Sequence, residues 1–268
     1  MQNKVVIITG GSSGIGQALA QSFGQRGARV VITGRRPEAL EQTVHDLKQQ
    51  SIDVIAIPSD VSKEADNQRM AEEVLNKYRR IDILINNAGI SMIALFEEVD
   101  LSVVKKVMDI NFYGVLYATK YCLPSIIENK GSVVGISSIA GYRGLPGRTG
   151  YSASKFALQG FLEVLRTEML PKGVHVLTAC PGFTTSNIRS ASLTKDGTAQ
   201  GASPRDEGKM MSAEECAERI YKAVRKRKKH LILTTQGITT VWLNKFFPGW
   251  MDKIVYNHMA KEKNAPIS

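Results

Sequence analysis

The sequence predicts a single doubly wound α/β domain, a parallel sheet with helices on both faces, followed by a C-terminal amphipathic helical extension. Short β-branched runs alternate with helical patterns from end to end, and the runs are apolar without interruption, as strands covered on both faces must be. Length agrees, since 268 residues without a Pro/Gly/Ser-rich linker suit one α/β domain. The strands fall at Val5 to Thr9, Val30 to Thr33, Val54 to Ile57, Ile83 to Ile85, Ser132 to Ile136 and Val174 to Thr178. Between them Gln17 to Gln25, Pro37 to Gln50, Lys63 to Tyr78, Val103 to Ile127 and Tyr151 to Leu170 read as helices. Ser186 to Met211 breaks the rhythm, being rich in Ser, Thr, Gly and Lys without apolar periodicity, and reads as a mobile lid. Ser212 and Glu215 then form a capping box for the next helix.

Composition sets the broad class. With 43% hydrophobic and 22% charged residues the chain has a soluble globular profile. Its three cysteines, Cys122, Cys180 and Cys216, are odd in number and lack metal-ligand spacing, which points to a reduced, cytoplasmic setting and no metal. The first strand begins close to Met1, leaving no room for a signal peptide, and no apolar run approaches the roughly 18 residues of a membrane span. A net charge of +10 draws heavily on one patch, Lys222 to Lys229 with Arg225 and Arg227, but no nucleic-acid-binding motif accompanies it.

Thr9-Gly10-Gly11-Ser12-Ser13-Gly14-Ile15-Gly16 follows an apolar strand directly and opens a helix. Glycine there permits positive φ and close approach of the backbone to a pyrophosphate, whose charge meets the helix N-terminus. A glycine loop alone is a tight turn; after a strand and before a helix it predicts dinucleotide binding. Where NAD-dependent enzymes place an acid, after the second strand, this chain has Gly34, Arg35 and Arg36, and Arg35 suits a 2′-phosphate, favouring NADP(H). The plainer reading is two solvated arginines opening a helix. Asp60, beside Val61, would accept from the adenine amino group or else simply precede a helix cap at Ser62. Asn87, Ala88 and Gly89 end the fourth strand at the carboxyl edge, where open α/β sheets bind ligands, although a turn also explains them.

Tyr151 and Lys155 are four residues apart on a predicted helix, so they share a face, and a nearby ammonium in a dry site favours the phenolate. Alone, the pair would be an ordinary Tyr and Lys of an amphipathic helix. With Ser138 thirteen residues upstream and the glycine loop far before it, the order of motifs over roughly residues 4 to 235 resembles the short-chain dehydrogenase/reductase family. The resemblance implies a Rossmann-type catalytic domain over 1–235, including the lid at 186–211, with the extension at 236–268. It implies that Ser138 bonds the substrate carbonyl oxygen, with Ser137 its structural neighbour. Tyr151 would exchange the proton, and Lys155 would lower the phenol pKa and hold the nicotinamide ribose. Asn111 would hold a water in the proton relay, or as a helix-interior amide stabilise a kink. Pro181, Gly182 and Thr184 would meet the nicotinamide carboxamide.

After Leu233 the chain adds Val241, Trp242, Leu243, Phe246, Phe247, Trp250, Met251, Ile254, Val255 and Tyr256 among Lys245, Lys253, Lys261 and Lys263. Such a tail beside the Lys222 to Lys229 cluster suits an anionic membrane surface, or else packs on the body or on a sister subunit of a homodimer or homotetramer. The tail and Tyr151 to Ala157 bear a looser similarity to the branch holding microsomal hydroxysteroid dehydrogenases and 3-ketodihydrosphingosine reductase, implying a lipophilic ketone or alcohol. The expected function is NADP(H)-dependent reduction of such a ketone. The rivals are a 3-oxoacyl thioester reductase whose basic patch docks an acidic carrier, and a non-catalytic dinucleotide-binding sensor.

Overall fold

The computed structural model describes residues 1–203, 208, 210–262 and 267. Among them seven strands form one parallel sheet in the order β3-β2-β1-β4-β5-β6-β7. These are β1 (Val5–Thr9), β2 (Arg29–Gly34), β3 (Val54–Pro58), β4 (Ile83–Asn86), β5 (Ser132–Ile136), β6 (His175–Cys180) and β7 (His230–Ile232). Six lie within two residues of their predicted positions. The seventh has only three residues and pairs with β6 alone, too short a run to stand out in the alternation.

Alternate side chains of β1 feed two separate cores, which is why the strand reads as an unbroken apolar run. Val6 and Ile8 pack towards α1 (Gly14–Gly24), α2 (Pro37–Gln49) and α7 (Ala213–Arg225). Val5 and Ile7 pack towards α3 (Glu64–Tyr78), α5 (Gly114–Glu128) and α6 (Thr149–Glu168). The strand order reverses between β1 and β4, so a crevice opens at their carboxyl ends, and every site motif converges there.

The helix expected over Val103 to Ile127 is interrupted. It comprises α4 (Leu101–Met108), a π-helical turn at Asp109–Tyr113, and α5. An inserted residue of this kind re-aims the side chains around it, and here it turns the Asn111 amide onto the backbone of Ile90. Only half of the predicted capping box forms. Ser212 accepts from the Glu215 amide at 3.0 Å, while the Glu215 carboxylate turns away to Arg219 at 2.6 Å.

The extension folds as two helices, α8 (Thr235–Phe246) and α9 (Pro248–Met259), with Pro248 at the start of the second, where its missing N–H costs nothing. Its expected position beside the basic cluster is corrected by the topology. β7 runs parallel to β6, so Lys222 to Lys229, which precede it, lie at the amino edge of the sheet. Arg227 there donates to the carbonyls of Lys130 and Gly173, in the turns leading into β5 and β6. Helices α8 and α9 leave from the opposite, carboxyl edge. Lys263 and lid residues 204–207 and 209 lie outside the described residues. The rest of that segment is anchored rather than featureless. Leu193 joins an apolar cluster with Met92, Val99 and Val103, and its carbonyl accepts from the Ile93 amide at 2.8 Å. The three cysteines are buried and free, and no described helix is long and apolar enough to cross a membrane.

Candidate active site

The glycine loop closes the end of β1. Gly14 has φ +52°, where a side chain would be strained, and a Cβ on Gly16 would lie 2.1 Å from the Gly10 carbonyl. Ser13 takes the N-cap position of α1 without a side-chain capping bond, so the first amides of that helix face outward in the manner of an anion site. Asn87 fixes the loop from β4: its amide and that of Ala88 each donate to the Thr9 hydroxyl at 3.0 Å, and its Nδ2 donates to the carbonyls of Thr9 and Gly10. Arg35 and Arg36 stand exposed at the rim of the same cavity, and neither guanidinium bonds a described residue. Asp60 accepts from the Ser62 amide at 3.1 Å and hydroxyl at 2.8 Å, but Ser62 is not the helix cap of the plainer reading, since Lys63 takes the N-cap position of α3; Asp60 also lines the cavity with Val61 and Gly89.

Ser138 leaves β5 in extended conformation and its hydroxyl accepts from the Ala140 amide at 3.1 Å, starting a single 3-10 turn. Ser137 is spent on structure, donating to the Lys155 carbonyl and accepting from Gln159. Tyr151 and Lys155 sit one turn apart on α6. The Lys155 ammonium is buried, donates to the Ile136 carbonyl at 2.9 Å, and lies 5.7 Å from the centre of the Tyr151 ring. Burial pulls this lysine down to about 8. Burial likewise pushes the Tyr151 phenol above its ordinary value, with Ser138, Arg148 and Arg189 pulling the other way. Desolvation is the largest of these influences on the phenol. Asn111 is buried, accepting from the Ile90 amide at 2.8 Å and donating to the Ile90 carbonyl and the Ser154 hydroxyl at 2.9 Å each. Ser154 in turn donates to the Tyr151 carbonyl, so the π turn is tied to the helix carrying Tyr151.

One cavity of about 1180 Å³ is lined by the glycine loop, Arg35, Asp60, Ser138, Tyr151 and Lys155, together with Pro181, Gly182 and Thr184 after β6, whereas the buried Asn111 is not part of its lining. Its remaining wall was missed from the sequence: it is the inner face of the extension. Met251, Val255 and Met259 of α9 pack with Leu145 and Leu243 into a small apolar cluster of their own, and they line the cavity. Their spacing of four residues was the available signal. Polar contacts secure the extension. Asn244 donates to the Tyr142 carbonyl at 3.0 Å, and Arg143 reaches both Asn244 and Asp252. At the far end Arg148 pairs with Glu262 at 2.9 Å, with side chains 9% and 5% exposed. The outer face is the reverse, with Trp242 64% and Trp250 70% exposed beside Phe246 and Phe247. The junction is tight. Thr234 has φ +67° and its hydroxyl accepts from the Gly237 amide to cap α8, while a Cβ on Gly182 would fall 2.4 Å from that hydroxyl.

Comparison with known proteins agrees with this geometry. The family model described as short chain dehydrogenase matches residues 4–197. Mouse dehydrogenase/reductase SDR family member 7B is 35% identical over 100% of this chain and 85% of its own length. A Drosophila melanogaster dehydrogenase/reductase SDR family protein 7-like is 33% identical over 99% and 83%. Among solved structures, a short chain dehydrogenase/reductase from Burkholderia phymatum in complex with NAD superposes with a TM-score of 0.82 at 24% identity, covering 100% of this chain and 98% of that one, a match of fold. With the family model spanning most of the chain and relatives matching it from end to end, this chain belongs to the short chain dehydrogenase family of oxidoreductases.

Proposed function

We propose that the protein interconverts a ketone and a secondary alcohol on a lipophilic substrate, such as a sphingoid base precursor or a steroid-like molecule, with NADP(H). One observation carries this reading: the glycine loop, Ser138, Tyr151 and Lys155 share a single cavity with an apolar wall built by α8 and α9. The donor set fits a dinucleotide, with loop and helix amides at Ser12 to Gly16, an Arg35 that bonds no described residue for a 2′-phosphate, and Asp60 and Val61 on the adenine side. Asn87, Ala88, Gly89, Lys155, Pro181, Gly182 and Thr184 would follow it towards the reacting end. NADP(H), when bound, supplies or accepts the hydride.

The chain's own residues handle the oxygen and its proton. Ser138 would donate a hydrogen bond to the substrate carbonyl oxygen and so polarise it. Tyr151 would give its phenolic proton to that oxygen in reduction and take it back in oxidation. Lys155 places a cation behind the phenol, favouring the phenolate left after transfer. Asn111, with both amide hydrogens committed, retains one Oδ1 lone pair for a water of the proton relay.

The exposed Trp242, Phe246, Phe247 and Trp250 support a peripheral contact between the extension and an anionic membrane, for a cytoplasmic protein assembled as a homodimer or homotetramer. The acyl-carrier alternative is weakened because the basic cluster lies at the amino edge of the sheet, across from the cavity. Purified protein with NADPH, screened against steroid, sphingoid and acyl ketones, tests the reading. Substrate-dependent NADPH oxidation is expected with long apolar ketones. No oxidation with any of them, or turnover confined to carrier-bound thioesters, would overturn it.

A further inference from the structure

Tyr151, Lys155 and Gln159 follow one another at four-residue intervals on α6, so they form one stripe along the helix. Gln159 stands outside the cavity lining and turns onto the end of β5 instead. Its Nε2 donates to the Ser137 hydroxyl at 3.0 Å and reaches the Ser138 carbonyl at 3.5 Å, with the Cys180 sulfur at 3.8 Å. A carbonyl only accepts, so the atom facing it is the amide nitrogen, which fixes the orientation of the group. Gly141, the last residue of the 3-10 turn after Ser138, makes the seat for this amide. A Cβ there would lie 2.3 Å from Nε2, 2.8 Å from the Lys155 carbonyl and 2.9 Å from the Ser137 hydroxyl. That hydroxyl donates onward to the Lys155 carbonyl. Successive turns of α6 thus grip the end of β5, Lys155 at Ile136 and Gln159 at Ser137 and Ser138.

We propose that Gln159 is a positioning residue: by holding the Ser137 hydroxyl and the Ser138 carbonyl against α6, it keeps the Ser138 hydroxyl in place at the cavity wall. The inference deepens the proposed function and rests on it for any effect on turnover, because Ser138 matters to catalysis only if it polarises a substrate oxygen. The hold itself is a property of the chain. Ser138 stands where β5 ends and backbone bonding changes hands. Just before it the Ser137 amide donates to the Ala179 carbonyl at 2.7 Å, and just after it the Ala140 amide donates to the Ser138 hydroxyl at 3.1 Å. A serine side chain has three staggered positions, and the Ala140 amide selects one of them only while the turn keeps its shape. Gln159 clamps the start of that turn, and the missing side chain of Gly141 lets its end close over the clamp.

Amide hydrogen exchange reads the hold without any substrate. Gln159→Met keeps the length of the side chain and removes the donor. In that variant the Ala140 amide should exchange roughly tenfold faster, the worth of about one hydrogen bond. The Ser137 amide, secured in the sheet ladder, should keep its rate, which separates local release from general loosening. Gln159→Glu retains the shape with oxygens that only accept when ionised, and should behave alike. Turnover supplies the second readout. With a ketone that the protein reduces, Gln159→Met should lower kcat/KM roughly tenfold and leave the Kd for NADPH unchanged, yet cost less than about twofold in a Ser138→Ala background. An equal loss in both backgrounds, an Ala140 amide unchanged in both Gln159 variants, or equal acceleration of the Ser137 and Ala140 amides would overturn the proposal. Faster exchange at Ala140 alone, in a protein that reduces no ketone, would instead sink the reductase reading and leave the hold on Ser138 standing.

Discussion

Lys155 points its ammonium at the carbonyl of Ile136, 2.9 Å away, and stands 5.7 Å from the centre of the Tyr151 ring. The end of β5 thus anchors the cation while the ring is left to face the cavity. A buried lysine drawn down to about 8 is charged in the unfolded chain up to its ordinary 10.5, so between those values unfolding takes up a proton. Stability therefore rises with pH through that window, and below it the full cost of burying the charge is present. Lys155→Met should remove most of that cost, on the order of 2 to 3 kcal/mol at pH 7, and flatten the slope between pH 8 and 10. Urea unfolding at pH 7 and 9.5 measures both. A variant that is less stable at pH 7 would show that the bond to Ile136 outweighs desolvation.

Turnover should respond differently. Tyr151→Phe is expected to reduce kcat to near the uncatalysed level with NADPH affinity almost unchanged, since only the transferable proton is lost. Lys155→Ala should lower both. Retention of most activity by the Phe variant would require another acid.

The proposed preference for NADP(H) rests on Arg35. A charge-assisted contact to a 2′-phosphate is worth about 1.5 to 3 kcal/mol, so the unmutated protein should prefer NADPH over NADH by roughly 10- to 100-fold in kcat/KM. Arg35→Ala should erase most of that preference through KM for NADPH. Equal kcat/KM for the two cofactors before mutation would end the argument.

Gly182→Ala should lower Tm, because the added carbon meets the Thr234 hydroxyl at 2.4 Å and overpacking of this kind costs about 1 to 3 kcal/mol. Thr234→Gly in the same chain removes that contact and the φ of +67°, at the expense of the α8 cap. The double variant should melt above Gly182→Ala alone. Thermal unfolding of the three proteins decides it.

The aromatic outer face should bind anionic vesicles, and changing Trp242, Phe247 and Trp250 to Ser should weaken binding without opening the cavity. Each lysine near such a surface contributes about 1 kcal/mol, so the salt-sensitive part should fall with Lys245, Lys253 and Lys261, and not with Lys222 to Lys229 at the other edge of the sheet. Deleting the extension is the poorer experiment, since it removes the cavity wall. Co-sedimentation showing no binding, with these aromatics buried in a dimer, would favour a sister subunit as the partner.

The strands were legible because parallel strands buried on both faces leave unbroken apolar runs, as in Val5 to Thr9 and Ser132 to Ile136. His230–Ile232 escaped notice because an edge strand of three residues, running straight on from the lysine cluster, carries no pattern. The π turn at Asn111 was invisible for another reason: one inserted residue leaves apolar periodicity nearly intact, and only the bond to Ile90 reveals it. In the site, glycine loop, Ser138, Tyr151 and Lys155 were legible as spacing. Glu262 and the inner face of α9 were not, because their place in the cavity wall depends on where the extension docks, a long-range fact with no local signature.

That docking has a consequence for the order of synthesis. The dinucleotide end of the cavity is complete once β6 and its following turn have formed, but the apolar wall arrives with Met251 to Met259 and is fastened by Glu262. Chains fold from the amino end as they leave the ribosome. A nascent molecule therefore carries its glycine loop and Tyr151 before the apolar wall exists, and its cavity stays open on one side until the last residues have docked.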